Sequence, residues 1–170
     1  MSRLSQLEQL YDAYASGVCH YFMTFVPCEA DAKDLLQDLF IKIAKQNLPS
    51  QIDNEKAFVW RLAHNLAVDW LRRKGARDRA HEASSHAAPA QFEPVTNPDA
   101  SRFAQHVQAA LSELPLEQRT VAQMKLWDGL TFDQIATAQG IPLNTAASRY
   151  RYAIAKLRTL LRPLYDEIQP

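Results

Sequence analysis

The stretch "GIPLNTAASRYRYAIAKLR", Gly140–Arg158, opens on a Gly-Ile-Pro breaker and continues as an amphipathic helical pattern. Projected at 100° per residue, Ala146, Tyr150, Ile154, Leu157 and Leu161 fall on one face and must pack on Ile135 and the preceding helices. Thr145, Ser148, Arg149, Tyr152 and Lys156 fall on the other face, with Arg151 on its flank. Small residues allow close approach, guanidinium groups match guanine edges and phosphates, and hydroxyls serve either. That set suits a helix that enters the major groove of a duplex. A solvated helix face has a similar make-up, so the elements before it have to decide.

They favour a helix-turn-helix. In "LTFDQIATAQG", Thr131 and Gln134 have capping-box spacing and Gly140 is a stop. The chain then turns through "IPLN" into the last helix, which starts at Asn144 or Thr145. Upstream, Pro115 can begin a helix that Gly129 ends. Asn97 is placed as the N-cap of a helix running to about Glu113, with Pro98 and Asp99 in its first turn.

Two further faces lie in the first half of the chain. In "ADAKDLLQDLFIKIAKQ", Leu35, Leu36, Leu39, Phe40 and Ile43 form an apolar stripe. Asp31, Asp34 and Asp38 occupy a different face, at i, i+3 and i+7, where like charges cost a few tenths of a kcal/mol each. The helix N-terminus favours Asp31 and Lys42 can pair with Asp38, which offsets part of that cost. A solvated face or a dock for a basic partner fits equally. In "FVWRLAHNLAVDWLRRKGAR", Val59, Leu62, Ala63, Leu66 and Trp70 point one way, and Arg61, His64, Asn65, Val68 and Arg72 the other, with Trp60 on the boundary. Arg72, Arg73 and Lys74 close that helix, where cations suit the dipole. Aromatic, amide and guanidinium groups without an acid suit unstacked bases. A basic helix end with a core tryptophan has the same pattern.

The wider organisation is all-α. Only four glycines punctuate 170 residues, and apolar positions recur every three or four. The first helical block spans about Leu4 to Gly75, its helices separated at "VPCEAD" and "NLPSQIDNE". The segment "ARDRAHEASSHAAPAQFEPVT" has almost no large apolar side chains and reads as a flexible linker, in which His81 and His86 are given no role. The division is therefore 1–77, a linker at 78–96, and 97–170. Net charge is zero, yet residues 58–80 carry six basic against two acidic side chains and residues 119–162 seven against two. Two basic segments diluted by acidic ones fit a binder of an extended polyanion.

Other chemistries lack their residues. No Ser/His/Asp or Cys/His constellation, metal-ligand spacing or phosphate-cradling glycine loop is present, so neither catalytic residues nor a metal, cofactor or small-molecule substrate is expected. Cys19 and Cys28 read as ordinary thiols. No apolar run approaches the roughly 20 residues of a membrane span, and the N-terminus lacks a signal peptide's apolar core. A cytoplasmic protein without direct membrane insertion is expected.

Three stretches together resemble the extracytoplasmic-function (ECF) sigma factors, the small two-domain group of the sigma-70 family. "EADAKDLLQDLFIKIAK" resembles region 2.2, "AFVWRLAHNLAVDWLRR" regions 2.3 and 2.4, and "LSELPLEQRTVAQMKLWDGLTFDQIATAQGIPLNTAASRYRYAIAKLR" region 4, in the family's order. The resemblance implies a non-enzymatic subunit that binds core RNA polymerase and promoter DNA, and that an anti-sigma factor restrains. Asp34, Gln37 and Asp38 would dock on the polymerase coiled coil. Asn65, with Trp60, Arg61, His64, Arg72 and Arg73, would melt and read the minus-10 element. Thr145, Ser148, Arg149, Arg151, Tyr152 and Lys156 would read the minus-35 element. Ala147 and Asn144 depart from the family, which often has a basic residue and a glycine there. Two rivals share parts of this pattern: a sigma-like adaptor that sequesters an anti-sigma factor, and a plain helix-turn-helix regulator. The basic faces argue against the first, the N-terminal block against the second.

Overall fold

A computed structural model describes residues 2–46, 52–80 and 98–168. The described residues form seven helices and no strand: α1 Arg3–Met23, α2 Glu29–Lys45, α3 Glu55–Ala80, α4 Pro98–Ser112, α5 Leu116–Leu126, α6 Phe132–Gln139 and α7 Leu143–Ile168. The expectations placed on Asn97, His81, His86 and the 81–96 part of the linker lie outside the described residues. One compact unit contains α1–α3, and another contains α4, α5 and α7.

The first unit is a three-helix packing around Leu10, Val18, Phe22, Leu39, Ile43 and Val59, all buried. Its core is rich in aromatic edges. Tyr11 meets Phe40 with ring centroids 4.9 Å apart, Tyr14 meets Trp60 at 5.7 Å, and Tyr21 meets Phe25 at 4.9 Å. Such edge-to-face pairs add roughly 0.5–1.5 kcal/mol each beyond area burial. Side chains set the helix ends. Ser2 Oγ accepts from Ser5 N–H at 3.2 Å, and Asn54 Oδ1 accepts from Ala57 N–H at 3.1 Å. At the other end of α2, the Arg3 guanidinium donates to the carbonyls of Ala44 and Gln46, so α1 satisfies the orphan acceptors of its neighbour.

Helix α3 continues past the Gly75 expected to close the block and past residue 77, ending at Ala80. A helical glycine costs only about 1 kcal/mol against alanine. Ala76, Arg77, Arg79 and Ala80 are good helix formers, and Arg79 Nε donates to the Gly75 carbonyl at 3.1 Å.

The second unit is aliphatic. Ala110, Leu111, Leu114, Ala122, Ala153 and Leu157 make one core cluster, with Val107, Ile154 and Leu161 packed against it. Thr131 and Gln134 form the expected capping box reciprocally: Gln134 N–H donates to Thr131 Oγ1 at 3.1 Å, and Thr131 N–H donates to Gln134 Oε1 at 2.9 Å. Gly129 and Gly140 both adopt positive φ, 64° and 65°, where a side chain would be strained. These left-handed residues follow the ends of α5 and α6. Helix α7 begins one residue before the expected start and runs through Pro163 to Ile168. The proline removes one backbone donor. Buried Leu164 and the Arg102–Glu167 pair at 3.5 Å hold the last turns on α4.

Candidate nucleic-acid and partner interfaces

On α2 the buried residues are Ala32, Leu35, Leu36, Leu39, Phe40 and Ile43. That stripe leaves Asp34, Gln37 and Asp38 exposed, with Asp31 half-buried. Asp31 accepts a weak hydrogen bond from Cys28 Sγ at 3.3 Å. Lys33 pairs with Glu29 at 2.7 Å. The Asp38–Lys42 pair allowed by spacing does not form, so Asp34 and Asp38 carry no ion-pair partner among the described residues. Ile41, 47% exposed, stands beside them, and an open groove between α1 and α2 is lined by Leu7, Glu8, Tyr11, Asp12 and Phe40. Neither feature was singled out in the sequence. Ile41 as an apolar residue on a polar face was the available signal; the groove depends on the packing of two helices.

On α3 the buried set is Ala57, Val59, Trp60, Ala63, Leu66 and Ala67. Opposite it, Arg61, Asn65, Val68 and Arg72 are exposed at i, i+4, i+7 and i+11, a continuous line along the helix. Arg61 lies 5.8 Å from the Phe58 ring. Arg72 pairs with Asp69 at 2.7 Å, and exposed Arg73 reaches the Asp69 carbonyl at 3.4 Å. His64 sits half-buried at the margin, its Nδ1 2.9 Å from the Tyr21 hydroxyl.

Trp60 requires a correction. It is 2% exposed, its ring edge-on to Tyr14 and 5.9 Å from the Lys56 ammonium, and so forms part of the core rather than a boundary. The α3 core centre lies closer to Trp60 than the projection from Val59 and Leu62 implies, because Ala63 and Ala67 let α3 approach its neighbours on that side. No stacking surface is presented there.

On α7 the buried line is Ala146, Ala153, Leu157 and Leu164. Arg149 stands between Ala146 at i−3 and Ala153 at i+4, and is half-buried on the margin. Arg151 and Tyr152 are exposed, Tyr152 at 60%, with the Arg151 guanidinium 5.7 Å from the Tyr152 ring. The expected positions of the two arginines are therefore exchanged: Arg151 is on the open face and Arg149 on the flank. The small Ala153, which an apolar-face projection weights lightly, moves the buried line round the helix. Ser148 and Thr145 are half-buried, and Ser148 Oγ donates to the Asn144 carbonyl at 2.7 Å, keeping its lone pairs as acceptors. Tyr150 packs edge-on to Phe132 at 5.5 Å, and Lys125 lies 4.7 Å from that ring, which sets α7 relative to the start of α6.

Lys156, four residues on from Tyr152, is exposed as expected, yet it has an internal partner. Its Nζ donates to the Glu113 carbonyl at 2.9 Å, while the Arg119 guanidinium donates to the carbonyls of Ser112 at 2.9 Å and Leu114 at 3.1 Å. Two cations thus converge on the C-terminal end of α4, where the dipole and the orphan acceptors favour them. Burial pushes the Arg119 pKa below its ordinary value. Among the described residues no group of His, Cys, Asp and Glu could hold a metal ion.

Comparison with known proteins matches two family models to this chain. Sigma-70 region 2 matches residues 10–77, and Sigma-70, region 4 matches residues 104–157. The chain is 28% identical over 163 residues to the ECF RNA polymerase sigma factor SigL of Mycobacterium tuberculosis, covering 93% of this chain and 90% of that protein. It is 26% identical over 162 residues to the ECF RNA polymerase sigma-E factor of Escherichia coli, covering 89% and 84%. Against the ECF sigma factor SigE of Mycolicibacterium smegmatis, identity is 32% over 139 residues, covering 77% of this chain and 52% of that protein. Among solved structures, the sigma factor RpoE in complex with the anti-sigma factor NepR from Bartonella quintana shares the fold with a TM-score of 0.75 at 20% identity, covering 92% of this chain and 97% of that one. CnrH in complex with the cytosolic domain of CnrY gives 0.66 at 19%, covering 92% and 88%. With both region models in order along more than two thirds of its length, and relatives of this type aligned nearly end to end, the chain belongs to the sigma-70 family as an ECF sigma factor.

Proposed function

We propose that this sigma factor directs core RNA polymerase to promoters through three separate faces. Asp34, Gln37 and Asp38 on α2 dock the polymerase; Arg61, His64, Asn65, Arg72 and Arg73 on α3 engage the melted minus-10 strand; and Ser148, Arg151 and Tyr152 on α7, flanked by Thr145 and Arg149, read the minus-35 duplex. The observation that carries this reading is the α3 line of Arg61, Asn65, Val68 and Arg72, exposed along one side of a helix whose other side is core. An amide flanked by guanidinium groups can hydrogen-bond a base edge and hold the strand by its phosphates. Trp60 supports that surface from beneath and does not itself stack.

Asp34 and Asp38 have no ion-pair partner among the described residues, so a basic partner surface gains their charge without breaking an existing pair. On α7, Arg151 is the group best placed for a bidentate base contact, and Arg149 for the sugar–phosphate backbone beside it. The α4-capping Lys156 holds the unit together and contributes positive field.

The protein works where polymerase and DNA are, in the cytoplasm; no helix among the described residues is long and apolar enough to cross a membrane. It performs no chemistry of its own, since nucleotide addition belongs to the core enzyme. An anti-sigma factor that covers these faces is the expected inhibitor; the similar RpoE is a sigma factor solved in complex with the anti-sigma factor NepR. The test is run-off transcription with purified core polymerase on a promoter selected by the holoenzyme from a randomised library. Specific transcripts that require this chain support the reading. Binding to an anti-sigma factor without transcription would replace it with the adaptor, and DNA binding without polymerase binding would replace it with a repressor.

A further inference from the structure

The core of the first unit contains a hydroxyl that packing does not need. Tyr21 on α1 is fully buried, beside Phe22 and edge-on to Phe25, in surroundings that phenylalanine would fill equally well. Its hydroxyl lies 2.9 Å from His64 Nδ1, on α3. His64 directly precedes Asn65 and borders the exposed Arg61–Asn65–Val68–Arg72 line. A buried polar group is retained where it has a partner, and here the partner belongs to the face assigned to the melted strand.

We infer that Tyr21 is a positioning residue for promoter melting: its hydroxyl anchors the His64 imidazole and so sets how that ring meets the non-template strand. This rests on the strand-binding reading of α3. A phenol at the end of a rigid two-torsion side chain, clamped by aromatic neighbours, is a fixed point. Nδ1 held there fixes the plane of the imidazole. Any polar contact between the ring and nucleic acid must then use Nε2. In neutral histidine the two ring nitrogens have opposite roles, so the hydrogen bond at Nδ1 also decides whether Nε2 donates or accepts. Without the hydroxyl, the ring loses its anchor at Nδ1, and its plane and tautomer are no longer set from α1. The same bond ties α1 to α3, so the orientation of a strand-facing group is set two helices deep in the fold.

The test uses the full chain with core polymerase on the library-selected promoter, and Tyr21→Phe, which removes one oxygen and keeps the aromatic packing. Three readouts are taken: the rate of open-complex formation on duplex template, core-polymerase affinity, and the imidazole nitrogen signals of His64 by NMR of the free chain. The inference predicts a three- to tenfold slower open-complex step and unchanged core affinity. It also predicts His64 signals that shift from one tautomer toward a mixture. In a His64→Ala background, Tyr21→Phe should add nothing. An equal slowing in the presence and absence of His64 overturns the inference, because the hydroxyl would then act on the fold at large. So does an unchanged rate for Tyr21→Phe. Asn65→Ala separates the two levels: if it slows melting while Tyr21→Phe does not, only the positioning role falls. If neither Asn65→Ala nor His64→Ala has an effect, the strand-binding reading of α3 falls with it.

Discussion

The two units place the same kinds of side chain on opposite sides of their surfaces. In the first, tryptophan and tyrosine lie under the α3 face: Trp60 and Tyr21 are core, and the residues presented outward are Arg61, Asn65, Val68 and Arg72. In the second, the buried residues are mainly aliphatic and none is aromatic among the described residues; Phe132 and Tyr150 are half-buried, and Tyr152 is 60% exposed beside Arg151. A helix that enters an existing groove needs a slim body and protruding contacts; Ala146 and Ala153 let α7 pack closely while Tyr152 and Arg151 reach out. A helix that holds a strand already separated from its partner needs a stiff support instead, and an aromatic core supplies it. Buried aromatic pairs resist deformation because their edge-to-face geometry is lost with small rotations.

This contrast can be broken most decisively through the docking proposed for the α2 face of the first unit. Replacing Asp34 and Asp38 by Lys should abolish core-polymerase binding while circular dichroism stays helical. Unchanged affinity would reduce the acidic stripe to solvated surface and leave the two units without their proposed division.

A large effect on stability is expected where the aromatic side chains differ in depth. Trp60→Ala should destabilise the first unit by about 3–5 kcal/mol, the range for large core aromatics. Tyr152→Ala should stay within about 0.5 kcal/mol in thermal or denaturant unfolding, as for ordinary surface positions. Comparable losses in both would contradict the assignment of one ring to the core and the other to the face.

The α7 arginines sharpen the comparison further. Arg151→Ala should flatten preference at one base pair, worth roughly 1–3 kcal/mol of discrimination, in binding of holoenzyme to single-base promoter variants. Arg149→Ala should weaken all variants alike and lower the salt slope by about one. The reverse pattern would restore the assignment read from the projection.

Smaller still is the contribution of the α6 cap. Thr131→Ala removes the capping-box acceptor and should cost the second unit about 1 kcal/mol, with Thr131→Ser recovering most of it. The smallest effect is a pH dependence confined to the first unit. Burial holds the His20 pKa below its ordinary value. The unfolded chain therefore takes up that proton first as pH falls, so this contribution is present above the unfolded pKa of about 6.5 and is lost below it. Unfolding midpoints at pH 7.5 and 5.5 should differ in that direction, and His20→Gln should narrow the gap.

Much of this was legible before any coordinates. The capping box at Thr131 and Gln134, the breaks at Gly129 and Gly140, and the α2 apolar stripe each rest on local spacing, and the structure contains all of them. Positions that depend on which neighbour a helix meets were not readable. Trp60 and Arg149 were misplaced because small residues, Ala63, Ala67 and Ala153, mark where helices approach closely, and their low hydrophobicity hides that in a projection. The Lys156 bond to the Glu113 carbonyl had no sequence signal, because its acceptor is 43 residues away. The Tyr21–His64 bond, also across 43 residues, had no sequence signal.

The division of labour between the two faces is tested most directly by measuring open-complex formation with holoenzyme carrying either Arg61→Ala with Asn65→Ala or Arg151→Ala. Each is run on duplex promoter and on the same promoter with a pre-melted bubble at the minus-10 element. The α3 variant should be slowed tenfold or more on duplex and largely restored on the bubble, whereas the Arg151→Ala defect should persist on both because the upstream duplex is unchanged. Equal defects on both templates for the α3 variant, or rescue of Arg151→Ala by the bubble, would contradict the assignment of the first unit to the melted strand and the second to the duplex.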